Sequence, residues 1–128
     1  MKRWRWIRRD VLYAIHDRQI AEHGGLAGVL DADRVDAALA RPRNLAAYEK
    51  PDAAALAAAY AHGLLQNHGF ADGNKRTAWM AARLFLADNG FDLRFDAVDA
   101  VRTMERAAAG ALSEEELAAW FRQRITRC

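Results

Sequence analysis

The sequence predicts an all-α fold, a bundle of about six helices in a single domain spanning residues 1–128. Three observations predict it. Hydrophobic residues make up 52% of the chain, and alanine, the best helix former, is the commonest of them. There are only two prolines, Pro42 and Pro51. Apolar positions recur at helical spacing between recognisable cap and turn signals. A chain of 128 residues can bury a working core without disulfide staples.

The elements follow in order. Residues 1–9 form a basic Arg/Trp arm in which Trp4, Arg5 and Trp6 alternate in polarity, as a short strand or an extended segment would. Such an arm packs its tryptophans on the bundle and leaves its arginines in water. A helix is expected over 10–23, with Val11, Leu12, Ile15 and Ile20 as its apolar positions and Gly24-Gly25 ending it. A short helix over 33–40 carries Val35 and Leu39 on one face, and Pro42 is expected to stop it. Residues 41–51 lack a helical period and read as an exposed flap loop, in which Tyr48 and Glu49 are candidates for docking a target.

Asp52 then caps a helix to residue 67, so rich in alanine that it belongs at the centre of the bundle. The next helix, over 75–89, buries Trp79, Met80, Leu84, Phe85 and Leu86. Residues 91–95 alternate and are briefly extended. Asp96 caps a helix through residue 109, with Val98, Val101, Met104 and Ala108 expected inward. Ser113 and Glu116 form a capping box for a last helix carrying Leu117, Trp120, Phe121 and Ile125.

Composition also bounds the function. Net charge is +2 with a pI near 9.0, too small an excess to specify nucleic acid. The single cysteine, Cys128, fits a reducing compartment, and no apolar run approaches the roughly 18 residues that span a bilayer. The basic start lacks the continuous apolar stretch of a secretory signal, so a cytoplasmic protein with no membrane partner is the expectation.

The chemistry concentrates in residues 68–76, His-Gly-Phe-Ala-Asp-Gly-Asn-Lys-Arg. His68 is a candidate general base, since a neutral imidazole can take a hydroxyl proton near neutral pH. Asp72 is a hard oxygen ligand suited to Mg²⁺, which sits on one or two carboxylates plus substrate phosphates. Gly73 permits a positive φ, so the main chain can form an anion-receiving concavity. Asn74, Lys75 and Arg76 then open a helix whose free N–H groups and full charges would grip phosphate. Lysine and arginine in a first helical turn are disfavoured by the dipole unless an anion sits there. Turn chemistry alone would also write Asp-Gly-Asn. A P-loop fails on spacing, because no glycine directly precedes Lys75, and no Cys/His spacing suits zinc.

This loop resembles the signature H-x-F-x-D-G-N-K-R of the Fic/Doc superfamily, and Lys75 makes it more similar to the death-on-curing (Doc) toxin branch than to AMP-transferring Fic proteins. The likeness extends through residues 12–26, Ala47-Tyr48-Glu49 and residues 84–90, covering roughly 10–120. The resemblance implies a Fic/Doc-like helical bundle. It also implies His68 as base, Asp72 as Mg²⁺ ligand and Gly73, Asn74, Lys75 and Arg76 as the grip on ATP. A Doc-type enzyme would transfer the γ-phosphate to a threonine or serine of a translation factor, elongation factor Tu, halting translation. Gly73 is a Fic-like choice and leaves AMP transfer as an alternative, whereas Trp79 stands where Fic proteins carry a second arginine. No glutamate lies four places after Thr77, Thr103 or Ser113, where Ala81, Ala107 and Leu117 stand, so the family's self-inhibitory motif [S/T]-x-x-x-E is missing. Restraint would come from an antitoxin whose disordered C-terminal tail folds onto the chain.

A third reading, from a different class, is a non-catalytic protein whose loop holds an anion and whose arm contacts RNA. His16 and His23 are too far apart to share a metal and are expected on the surface. His62 reads as a structural residue on the flank of the central helix, and Trp79 and Trp120 as core.

Overall fold

A computed structural model describes residues 3–128, which form six helices and two short strands in the order α1 Arg9–His23, α2 Ala32–Tyr48, α3 Ala53–Asn67, α4 Asn74–Asp88, β1 Phe91–Leu93, α5 Ala97–Ala108, α6 Glu114–Arg122 and β2 Ile125–Arg127. Of the arm expected at 1–9, residues 1 and 2 lie outside the described residues.

Helix α3 is the axis. Ala54, Ala57, Ala58, Ala61, Leu56 and Tyr60 are fully buried, so the helix has almost no wet face. Small side chains let neighbouring helices approach to the short end of the 8–10 Å range. Gly63 shows the limit of that approach: a Cβ there would lie 3.5 Å from the Cα of Ala38 on α2. Helices α2, α4 and α6 pack around α3, α1 lies on α4, and α5 closes the side between α3 and α4. Phe85 and Phe121, both fully buried, fill the gaps that alanine leaves, each contributing about 2–3 kcal/mol of burial.

The caps at Asp52, Asp96 and Ser113 fall where the sequence puts them, and Asp31 adds one for α2. Asp31 accepts from the N–H groups of Asp33 and Arg34, Asp52 from Ala55 and Asp96 from Asp99, and Ser113 with Glu116 closes a capping box. Strand β1 pairs antiparallel with β2, setting Phe91 opposite Arg127 and Leu93 opposite Ile125. Ile125 therefore belongs to a strand rather than to the last helix, because α6 ends at Arg122 and its chain turns to find the backbone of β1. The arm is extended and tied to the bundle. The N–H of Arg5 donates to Asn89 Oδ1 at 2.8 Å, the N–H of Ile7 donates to the Tyr60 hydroxyl at 3.0 Å, and Trp4 and Trp6 lie about 6 Å from the Phe85 ring.

Two expectations are corrected here. Pro42 does not stop α2, which runs on to Tyr48, so most of the segment 41–51 is helix and not a flap. A mid-helix proline forfeits one backbone bond and crowds the preceding turn, at a cost of about 3 kcal/mol. Its ring is buried in the bundle, and that burial offsets part of the loss. On α5, Val98 and Val101 are 59% and 57% exposed; the inward stripe is Ala100, Thr103, Met104 and Ala107. In this orientation Asp99 accepts a hydrogen bond from the Trp120 indole N–H at 2.9 Å.

His62 fulfils its structural reading. Its Nδ1 lies 3.7 Å from Glu114 Oε1, while Arg41 grips the same carboxylate through two bonds, joining α2, α3 and α6.

Asp52 carries a testable load. It caps α3 and also accepts two bonds from Arg122 on α6. The hydrogen bond from Arg122 holds its carboxyl below the usual carboxylate range, with the Ala55 N–H adding to the effect. A carboxylate with a lowered folded pKa stabilises fully above its unfolded pKa and loses that stabilisation as pH falls through the folded value. Asp52→Ala should lower the unfolding free energy by about 1 kcal/mol at pH 7 in urea titrations. The gap to the parent protein should close as the pH falls below about 4.

Candidate active site

The chain leaves α3 through His68, whose φ of 48° and ψ of 49° place it in the left-handed region. It is the one non-glycine residue with positive φ among the described residues. Such a conformation costs of order 1 kcal/mol or more and persists only where the surroundings enforce it. The enforcement is a frame of main-chain bonds. The Gly69 carbonyl accepts from the N–H groups of Leu30 and Asp31 at 2.9 and 3.1 Å, and the N–H of Ala71 donates to Gly28 at 3.1 Å. Val29 and Phe70 thus form an isolated antiparallel bridge. Phe70 is 2% exposed and anchors the loop in the core, as its place in the motif suggests.

Asp72 is exposed, and both its oxygens are steered by main-chain donors. Oδ1 accepts from Gly73 at 2.8 Å and Oδ2 from Leu26 at 3.3 Å. Those two bonds hold its carboxyl below the usual range, with a smaller contribution from the Arg76 charge, so it is ionised at neutral pH. Each oxygen keeps a free lone pair. No group of three or more His, Cys, Asp or Glu side chains capable of holding a metal occurs among the described residues. A lone, ionised, oriented carboxylate suits Mg²⁺, which completes its shell with phosphate oxygens and water.

Gly73, with φ of 75°, is the N-cap of α4, and no side chain caps that helix and no acidic residue occupies its first turn. Lys75 and Arg76 are exposed there without an ion-pair partner among the described residues. The Asn74 side chain is engaged within the loop. Its Oδ1 accepts from the N–H of Phe70 and its Nδ2 donates to the carbonyl of Phe70, at 3.2 and 3.0 Å. The side chain braces the loop, and its main-chain N–H is what remains for an anion.

His68, Asp72, Gly73, Asn74, Lys75 and Arg76 all line one groove of about 920 Å³. Trp79, Phe95, Val101 and Met104 add apolar surface to the same groove, and Glu105 adds a carboxylate. Trp79 is therefore half-buried at a groove wall, with Phe95 edge-on at 4.9 Å, instead of a plain core residue. A histidine with no polar partner among the described residues, a steered carboxylate and two cations around one cavity can accept a proton, hold a cation and neutralise a polyphosphate.

Tyr48 and Glu49 are not part of this constellation. Tyr48 is 88% exposed at the end of α2, and Glu49 lines a separate groove with Trp4, Trp6 and Arg43. The segment that flanks the signature loop is instead 24–31, where Leu26 and Leu30 are 68% and 70% exposed.

A profile of the Fic/DOC family matches residues 6–86. The chain is 36% identical over 120 residues to the protein kinase doc of Escherichia phage P1, covering 93% of this chain and 94% of that protein. It is 46% identical over 77 residues to the toxin Doc of Mycolicibacterium smegmatis, covering 57% of this chain and 58% of that one. The chain belongs to the Fic/DOC family.

One contributor to this Fic/DOC site lay outside the sequence reading. His23 is exposed as expected, but His16 is 1% exposed and packed against the loop, contrary to its expected surface position. The buried stripe of α1 is Leu12, His16 and Gln19, at i, i+4 and i+7. That spacing from Leu12 was the available signal.

Gly25 offers a direct test of how Asp72 is held. A Cβ there would lie 2.7 Å from Asp72 Oδ2, and its φ of 116° suits only glycine. Gly25→Ala should displace the carboxylate and weaken binding of Mg²⁺–ATP about tenfold in calorimetric titration. Gly24→Ala is the control: its φ of 80° is strained too, but a Cβ there meets nothing within 4 Å, so it should cost stability and leave binding intact.

Proposed function

We propose that this Fic/DOC protein is a Doc-type toxin, a protein kinase that moves the γ-phosphate of ATP to a threonine or serine hydroxyl of a translation factor, elongation factor Tu being the candidate. The observation that carries the reading is the convergence of His68, Asp72, Lys75 and Arg76 on one groove. The name of the phage relative, protein kinase doc, supports kinase over AMP transfer.

The chemistry follows from the parts. Phosphoryl transfer asks a protein mainly for positioning and charge neutralisation. The acceptor oxygen attacks the γ-phosphorus, His68 takes its proton, and the bond to the β,γ-bridging oxygen breaks to release ADP. Mg²⁺, when held by Asp72, supplies charge neutralisation between the phosphates. Lys75, Arg76 and the first N–H groups of α4 hold the remaining anionic oxygens. The exposed Leu26 and Leu30 offer the acceptor segment an apolar surface beside the base.

Regulation in this reading is supplied in trans. The toxin Doc relative supports an antitoxin partner, whose disordered tail would order itself on the chain. A translation target would put the activity in the cytoplasm, and no helix among the described residues is long and apolar enough to cross a membrane.

The test is incubation with a cell lysate and with purified elongation factor Tu, using ATP labelled at either the α or the γ position. Label is expected from the γ position alone. Label from the α position would establish AMP transfer instead, and no label from either would leave anion binding as the function. His68→Ala should reduce transfer by about 10²-fold or more while the melting temperature stays within a few degrees.

A further inference from the structure

Among the described buried polar side chains, His16 is the one hydrogen-bonded to the signature loop. Its ring lies on Phe70, with centroids 3.9 Å apart and planes 10° from parallel. Its Nε2 lies 2.7 Å from the main-chain oxygen of Asp72. A carbonyl oxygen only accepts, so the proton sits on Nε2 and the imidazole donates. A Cβ built on Gly73 would come 3.7 Å from the same nitrogen. One side chain of α1 therefore touches the loop at residues 70 and 72, and leaves little room beside Gly73 for anything larger than glycine.

The consequence lies in the peptide unit between Asp72 and Gly73. Its carbonyl is fixed by His16, and its N–H donates to Asp72 Oδ1. The two ends of one planar group are thus tied to an imidazole and to the carboxylate. Gly73 has the conformational freedom to let that plane turn if the imidazole releases it. We infer that His16 is a positioning residue: by holding this peptide it sets the direction in which Asp72 presents its free lone pairs to a divalent cation on the nucleotide phosphates. The role rests on the Mg²⁺–ATP reading above. Partners of this kind behind a metal ligand commonly change metal affinity by about 10–100-fold when removed.

Two variants separate the ring from the donor. His16→Phe keeps an aromatic ring on Phe70 and deletes the N–H; His16→Gln keeps an N–H donor and deletes the ring. Each full-length variant is titrated with Mg²⁺ in the presence of ATP, melted, and assayed for γ-label transfer. His16→Phe should need about tenfold more Mg²⁺ for half-maximal binding and lose about tenfold in kcat, with KM for the protein target unchanged. His16→Gln should recover both to within about threefold of the parent. Parental Mg²⁺ dependence in His16→Phe, or equal loss in both variants in step with a lowered melting temperature, overturns the inference. The unaltered protein gives a second measurement that survives any folding defect. The His16 Nε2–H resonance should be protected from exchange and should shift when Mg²⁺ is added to the ATP complex; no shift overturns the inference. Parent protein that binds no Mg²⁺–ATP at all overturns the functional reading instead, whereas a parent that binds with His16→Phe binding equally well overturns His16 alone.

Discussion

The site depends on a left-handed residue at the end of α3 being held there by its neighbours' main chain. His68 leaves the helix at φ 48°, and the next carbonyl, that of Gly69, is taken by two N–H donors from residues 30 and 31. Without those bonds the turn would relax, since an L-residue gains free energy by returning to negative φ. With them the chain reverses tightly, and the first turn of α4 faces the same groove as the imidazole. Gly69 is needed for the same closeness, because a Cβ there would lie 2.5 Å from Val35 Cγ2.

The rest of the bundle serves that reversal by keeping α1, α2, α3 and α4 close. Alanine on α3 and Gly63 against Ala38 bring the axes together, and the loop between α1 and α2 is thereby laid beside the signature loop. The energetic division is plain. Apolar burial by Leu12, Tyr60, Phe85 and Phe121 stabilises the fold, while a few main-chain bonds and one aromatic stack decide where the reactive groups point.

The groove itself is lined by both charged and apolar side chains. Its lining combines Asp72, Lys75 and Arg76 at the start of α4 with the apolar side chains of Trp79, Phe95, Val101 and Met104 and the carboxylate of Glu105. On α5, Val98 and Val101 are exposed while Ala100, Thr103, Met104 and Ala107 face inward, and Val101 and Met104 both reach the groove.

The sequence by itself determined the helical class, the caps at Asp52, Asp96 and Ser113, and the loop at 68–76 with its imidazole, carboxylate and cations. Those properties are local: propensity, capping and residue chemistry act within a few positions of the chain. What lay across the fold was not readable that way. Pro42 sits inside a helix because tertiary burial offsets a local penalty, and the flap expected at 41–51 gives way to the segment 24–31 because only packing lays that segment on residues 69–71. His16 meets Asp72 from 56 positions away. Whether a histidine at helical spacing from Leu12 faces water or a loop depends on which helix covers it, and that only tertiary structure decided.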